Sequence, residues 1–139
     1  MKKLKLLTTL IAVIFFSSCN NDDDNKTTET TIAGNWNLIE INNTIMGGKF
    51  TFAPGVITWN FNTTTNTFTV VNNNTDASAI YIFNSGTYPY EIIASPIANS
   101  ICNQSIELND ADYGCLLLTS NSLQINDGAA DGVVFKFIR

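Results

Sequence analysis

Apolar and polar residues alternate along most of the chain after residue 31, with a period of two rather than 3.6. Ile57, Trp59 and Phe61, for example, are separated by polar residues. Because successive side chains of a strand point to opposite faces, this spacing predicts strands with one dry face and one wet face. We predict nine strands, at residues 36–42, 56–62, 66–71, 80–84, 88–94, 105–109, 115–119, 123–126 and 133–138.

The links between these strands are rich in Asn, Asp, Thr and Gly, as at residues 62–66, 72–76 and 126–128. Such residues favour tight turns, and short strands separated by turns indicate a β-sandwich or an up-and-down barrel. Closing the sheet leaves no unpaired edge, which favours a small antiparallel up-and-down β-barrel of about eight strands. Residues 93–103 include Pro96 and have no clear period, so we expect a loop or a single helical turn there.

The first 18 residues have the pattern of an export signal. Three lysines precede an apolar run at residues 6–16. This run is too short to cross a hydrocarbon core about 30 Å thick. It leads into Phe16-Ser17-Ser18-Cys19, which resembles the lipobox of bacterial lipoproteins. The resemblance implies a signal peptide at 1–18 that is removed, and a membrane anchor of acyl chains on Cys19. The alternative is an ordinary secretory signal with Cys19 unmodified.

Residues 19–31 are polar and offer no apolar surface to bury, so we expect a solvated tether. The acidic cluster at residues 22–24 resembles the surface-export signal of Bacteroidetes-type lipoproteins. That resemblance implies an outer-membrane protein on the periplasmic or cell-surface face. An equally good interpretation is that the three aspartates only keep the tether soluble.

The negative charge of the chain argues against polyanionic partners. After Cys19 the chain has 12 acidic and four basic residues, a formal charge of −8. Proteins that bind nucleic acid need Lys and Arg to neutralise phosphates. We therefore expect no nucleic acid and no anionic lipid surface among the partners.

The motif Gly34-Asn35-Trp36 directly follows the tether and resembles the GxW motif that opens the first strand of lipocalins. Together with the lipobox and the closing segments at residues 123–128 and 132–139, it makes residues 32–139 resemble the lipocalin-like domains of Bacteroidetes lipoproteins. The resemblance implies that Trp36 plugs one end of the barrel. A basic side chain, Lys136 or Arg139, would cover its ring through a cation–π contact.

With Cys19 assigned to lipid, Cys102 and Cys115 remain as a pair in an oxidising compartment, and we predict a disulfide between them. A metal site would need further soft or imidazole ligands, and the chain has no histidine. We expect no cofactor and no bound metal.

Two functional hypotheses follow. In the first, the barrel interior accepts a small apolar or amphipathic ligand, lined by residues such as Trp59, Phe61, Phe68 and Val70. Those side chains could equally fill the interior, since small barrels are just wide enough for their own residues. In the second, the protein presents polar loops and exposed aromatics such as Tyr88 and Tyr90 to a protein or polysaccharide partner. Equally, Pro89 could mark an edge strand on which the two tyrosines pack.

We do not expect an enzyme. The lack of histidine removes the commonest general base, and Glu40, Glu91 and Glu107 show no convergent spacing, although a carboxylate pair could serve a hydrolase. Residues 110–114 are faintly similar to a calcium loop but have Asn121 where its bidentate glutamate should stand, so we predict a polar turn.

Overall fold

The computed structural model describes residues 30–43, 48–79, 83–95, 102–127 and 132–139, and within them the fold is all-β. The strands in these ranges are β1 (Gly34–Asn43), β2 (Gly48–Thr51), β3 (Ile57–Asn62), β4 (Thr67–Asn72), β5 (Gly86–Ala94), β6 (Gln104–Leu108), β7 (Ala111–Leu118), β8 (Ser122–Asn126) and β9 (Val133–Ile138). The leader, Cys19 and the tether as far as residue 29 lie outside the described residues.

Eight of these strands close into an antiparallel barrel. Neighbours from β3 to β9 pair in chain order, and β1 closes the ring by pairing with both β3 and β9. Trp36 of β1 lies opposite Trp59, and Asn37 lies opposite Ile138. The predicted small antiparallel barrel of about eight strands is confirmed. We call the end where β1 begins and β9 ends the proximal end, and the other the distal end.

The ninth strand, β2, was not predicted from the sequence. It pairs with residues 40–43 of β1. It lies on the same edge of β1 as β3, which pairs with residues 34–37 nearer the proximal end. The loop between β2 and β3 is held against β1 by Phe52 N donating to Ile39 O (2.9 Å) and by Gly55 N donating to the Asn37 side chain (2.8 Å). β2 therefore continues the barrel wall along β1 beyond the point where the pairing with β3 ends.

Two predicted elements need correction. Of the strand expected at 80–84, residues 80–82 lie outside the described residues, while Phe83 and Asn84 belong to no strand. Phe83 instead packs into the barrel, with its ring 5.3 Å from that of Trp59. The polar turn expected at 110–114 is also wrong in extent: only Asn109 and Asp110, both with positive φ, form the turn, and β7 begins at Ala111.

A β-bulge explains why β7 is longer than its pattern indicates. The register with β6 shifts by one residue between the pairs Glu107–Asp112 and Ser105–Cys115, so the alternation of side chains is interrupted there. Gly114, at φ 78°, lies within this interval. A Cβ at this position would come within 2.6 Å of the Asn126 carbonyl oxygen, so both backbone conformation and space favour glycine.

The predicted disulfide between Cys102 and Cys115 is confirmed, with the two Cα atoms 5.7 Å apart. It ties the chain just before β6 to the middle of β7. The bond therefore fixes the start of the segment that leads into β6 against β7.

The interior of the barrel is filled by side chains, and eight of the eighteen described residues in the buried core are aromatic. Trp59 is the centre of this core, with ring centroids of several neighbours within 6.2 Å: Phe61, Phe68, Phe83, Phe135 and Phe137. Aliphatic side chains from β1, β3, β4, β6 and β8 complete the core: Leu38, Ile41, Ile57, Val70, Ile106, Leu108, Leu123 and Ile125. Burial of these side chains is the main stabilising contribution to the fold.

On the outer wall Glu40 binds two lysines, Lys49 at 2.9 Å and Lys136 at 2.8 Å. The ammonium groups of Lys136 and then Lys49 lower the pKa of the Glu40 carboxyl. Glu40→Gln should destabilise the fold by up to about 1 kcal/mol at neutral pH, since both lysines are largely exposed. A group whose pKa is lowered by folding stabilises fully above its unfolded pKa, so the difference should shrink as the pH falls from 4.5 through the lowered pKa of the folded state.

Urea unfolding of the wild type and of Glu40→Gln at several pH values would measure this difference. A difference that stayed constant from pH 7 to pH 3 would show that the ion pairs contribute nothing and that the substitution acts through packing alone.

Candidate ligand-binding cleft

The four side chains predicted to line a ligand site lie together in the packed core. Trp59, Phe61, Phe68 and Val70 are each at most 2% exposed. The ring centroids of Trp59 and Phe68 are 4.9 Å apart, and those of Phe61 and Phe68 are 5.5 Å apart. Phe83, from the link after β4, packs edge-on against Phe68 at 5.1 Å and closes the core towards the distal end. These residues contact one another, and none of them lines the three clefts described below.

The proximal end is closed by Trp36 and Arg139. The indole of Trp36 is fully buried, and the guanidinium carbon of Arg139 lies 4.1 Å from its ring centroid. This is the geometry implied by the lipocalin resemblance, with Arg139 rather than Lys136 over the ring. Lys136 instead faces the outer wall, where it binds Glu40.

The segment just before β1, residues 30–33, crosses this end of the barrel, and we call it the strap. Its Ile32 side chain is 4% exposed and belongs to the core. The Ile32 carbonyl accepts a hydrogen bond from Trp36 Nε1 (2.7 Å). The carbonyls of Thr31 and Ala33 both accept from the Arg139 guanidinium, at 2.6 and 2.8 Å. Three successive carbonyls are thus held by the two side chains that close the barrel.

A cleft of about 550 Å³ opens beside the strap, and we call it the proximal cleft. Its apolar lining comes from the strap and from the inward faces of β5 and β7: Ile32, Tyr90, Ile92, Leu116 and Leu118. Its polar lining stands at the rim: Thr30, Thr31, Thr63, Asn66, Glu91 and Gln104. The volume lies within the range of small-molecule sites, about 300 to 1,000 Å³.

The cleft exists because β5 extends further towards the proximal end than its neighbour β4. β4 begins at Thr67, which lies opposite Pro89 of β5. Next to this pair, Tyr90 N donates a hydrogen bond to Asn66 O (3.0 Å), just before β4 begins. From there β5 continues to Ala94 alongside β6. The inward side chain of Ile92 therefore extends past the end of β4. It is only half-buried, as is Leu118 of β7.

A second cleft, of about 620 Å³, adjoins the first and shares Thr30, Gln104, Leu116 and Leu118 with it. Cys102 of the disulfide lines this second cleft. The proximal end therefore offers a continuous concave surface in which apolar side chains alternate with amides and hydroxyls. Such a surface suits a ligand that is itself amphipathic.

Tyr90 was expected to be exposed, and this is wrong: it is 7% exposed, and its ring packs edge-on against Phe61 at 5.1 Å. Tyr88 also turns inward, with its ring 5.5 Å from that of Phe68. Burial raises the pKa of Tyr90, so its phenol stays neutral in the cleft at physiological pH. The surface-partner hypothesis therefore loses Tyr90 as an exposed aromatic side chain, while Tyr88 is half-buried.

Sequence reasoning did not identify Ile92, Gln104, Leu116 or Leu118 as site residues. Tyr88, Tyr90 and Ile92 do alternate with other residues in the predicted strand at 88–94, and this pattern could have placed all three on the inner face. No sequence signal gives the stagger between β4 and β5 that leaves Ile92 partly uncovered.

Carboxylates form a row on the outer wall. Glu107 of β6 lies opposite Glu91 of β5 on one side and opposite Asp112 of β7 on the other. Glu91, Glu107 and Asp110 line a hollow of about 100 Å³, which is too small to enclose a sugar ring or a drug-sized ligand. Asp112 Oδ1 accepts a hydrogen bond from Gly114 N (2.7 Å), which supports the bulge. Among the described residues, no group of three or more acidic, cysteine or histidine side chains is arranged to hold a metal ion.

Comparison of the chain with protein-family models, with curated proteins and with solved structures found no match. Nor does the described part of the chain contain a helix long and apolar enough to cross a membrane.

Proposed function

We propose that this chain is an exported lipoprotein, held to the outer membrane by acyl chains on Cys19. We also propose that its lipocalin-like barrel binds a small amphipathic ligand in the proximal cleft. The observation that carries the ligand proposal is the contrast between the two ends of the core. The interior around Trp59 is filled, whereas Ile92 and Leu118 stay half-buried in a concave surface with a polar rim.

Several features of the cleft favour an amphipathic ligand over a purely apolar one. Tyr90, Ile92 and Leu118 provide an apolar wall, while Asn66 and Gln104 place amide donors and acceptors at the rim. A ligand with an apolar body and a polar end would bury its body against the wall and keep its polar end hydrogen-bonded. A ligand without polar groups would leave the rim amides to be desolvated without a partner.

The lipoprotein proposal rests on the leader pattern and the position of Cys19, which is followed by a polar segment before the strap. One acyl chain gives only marginal membrane binding, so the several chains of a lipoprotein cysteine would be needed for stable attachment. Mass spectrometry of the protein purified from membranes should find a mature N-terminus at Cys19 with acyl chains attached. An unmodified Cys19, or a product that retains the leader, would refute this part.

The ligand site can be tested with the neutral fluorescent dye N-phenyl-1-naphthylamine, which has an apolar aromatic body and one N–H donor. Ile92→Asn should weaken binding by at least about tenfold, because burial of an isoleucine side chain contributes roughly 1.5–3 kcal/mol. Val71→Asn is the matched control, since Val71 is 45% exposed on the outer wall and lines none of the three clefts. The control should bind as the wild type does.

A second variant guards against loss of folding in Ile92→Asn. Gln104 is exposed at the rim, so Gln104→Trp should obstruct the cleft without disturbing the core. We expect it to weaken dye binding by at least about tenfold with unchanged thermal stability. Equal dye affinity in the wild type, Ile92→Asn and Gln104→Trp, or no binding to the wild type, would refute the cleft as the site.

A further inference from the structure

We propose that the strap, residues 30–33, is a separately opening wall of the proximal cleft, and that Arg139 is the latch that holds it shut. The inference rests on the proposed function for what the cleft binds. The latch itself is a claim about the strap and the barrel, and it can be tested without any ligand.

The strap belongs to the cleft but not to the sheet. Three of its residues, Thr30, Thr31 and Ile32, line the proximal cleft. Strand β1, however, begins only at Gly34, so the strap takes no part in the described ladders between strands. A segment held by side chains alone opens more readily than one held by a backbone ladder.

The bonds that hold the strap converge on one end of the barrel. Arg139 donates to the Thr31 and Ala33 carbonyls, and its guanidinium also lies over the Trp36 ring. Trp36 Nε1 donates to the carbonyl of Ile32, between the two that Arg139 holds. A planar guanidinium can bond two carbonyls and stack on an aromatic ring at once, which a lysine ammonium cannot do equally well. Removal of this one side chain therefore frees two of the three held carbonyls.

A joint is present where the strap meets the barrel. Gly34 has φ 100°, a conformation in which side-chain-bearing residues are strained, and no atom lies within 4 Å of where a Cβ would be. The chain can thus change direction at Gly34 without displacing β1. Rotation there would carry Ile32 out of the cleft wall and leave the barrel strands in place, so the strap acts as a gate.

Opening of the gate would join the proximal cleft to the space that Ile32 fills above Trp36. In Arg139→Ala we therefore expect the strap to open more often while the barrel stays closed. A ligand that enters from the proximal end should then associate faster. Arg139→Lys, which keeps the charge but loses the fork, should lie between the wild type and Arg139→Ala.

Hydrogen exchange of the Trp36 indole N–H, followed by NMR, reports opening because this buried proton is donated to the strap carbonyl of Ile32, and we call its rate strap exchange. In Arg139→Ala strap exchange should be at least about tenfold faster, while the backbone amides of β3, β4 and β8 exchange as in the wild type. Lys136→Ala is the matched control, because it removes a positive charge three residues earlier in the chain but breaks only the pair with Glu40. The control should leave strap exchange unchanged.

Unchanged strap exchange in both Arg139 variants, or equal acceleration in every strand, would overturn the latch. If Arg139→Ala does not fold, Arg139→Lys provides the same comparison. The dye N-phenyl-1-naphthylamine then tests the gate: its association rate should rise in the order wild type, Arg139→Lys, Arg139→Ala. Equal rates with accelerated strap exchange would overturn the gate. If the wild type binds no dye, the ligand site itself fails, and exchange alone decides whether the strap is latched.

Discussion

Replacement of Trp59 with alanine should lower the free energy of unfolding by about 3–5 kcal/mol, the usual cost of removing a large buried aromatic side chain. Trp59 is 2% exposed, and its ring lies within 6.2 Å of five other aromatic rings. A loss of this size is a large part of the roughly 5–15 kcal/mol that stabilises a typical domain. Urea unfolding followed by circular dichroism measures it without relying on tryptophan fluorescence.

Val71→Ala is the control for this experiment, since Val71 lies on the outer wall and is 45% exposed. Its effect should stay within about 0.5 kcal/mol. If Trp59→Ala cost no more than Val71→Ala, the interior would have to be loosely packed, and the account of a filled barrel would be wrong.

Removal of the disulfide should produce the second large effect. Cys102 and Cys115 are 13 residues apart, and a cross-link that closes a loop of this length stabilises a fold by about 3 kcal/mol on the chain-entropy model. The double variant Cys102→Ser, Cys115→Ser should therefore unfold at a clearly lower urea concentration. The same shift should appear when the wild type is unfolded in dithiothreitol.

The double variant provides its own control, because dithiothreitol should not change its unfolding midpoint. If the wild type and the variant had the same midpoint, with or without reductant, the bond would not contribute to stability. The variant also reports on the proximal end, since Cys102 lines the second cleft.

The sequence predicts the barrel well where alternation and turn chemistry agree. In β3 and β4 the alternating apolar residues, among them Trp59 and Phe68, lie inward as expected. In the turn between these strands, the side chain of Asn62 accepts hydrogen bonds from Thr64 N (2.9 Å) and Thr65 N (3.2 Å). The pair Cys102 and Cys115 could be predicted because it is the even remainder once Cys19 is assigned elsewhere.

Prediction failed where tertiary structure overrides the local pattern. Phe83 continues an apolar run, which resembles a strand in sequence, yet it fills the interior from a link between strands. The bulge at Gly114 breaks the alternation of β7, so the strand was expected to begin four residues too late. β2 has only four residues and is held by its pairing with β1, which no local signal encodes.

The candidate cleft could not be predicted because it depends on how far β5 extends beyond its neighbour β4. Alternation gives the face on which Ile92 and Leu118 lie, but only the register of Thr67 with Pro89 shows that β5 extends beyond β4. The same holds for the strap: the sequence and the lipocalin resemblance suggest that Trp36 is covered by a basic side chain, but not that Arg139 holds the carbonyls of Thr31 and Ala33.

We propose that ligand binds at the proximal end of a barrel whose interior is full. Methyl NMR of protein labelled at Ile, Leu and Val, titrated with N-phenyl-1-naphthylamine, distinguishes this location from the core. We expect chemical-shift changes at Ile92 and Leu118, with Ile57 and Val70 unaffected. Shifts centred on Ile57 and Val70, with Ile92 and Leu118 unchanged, would show that the ligand enters the core and would contradict the account.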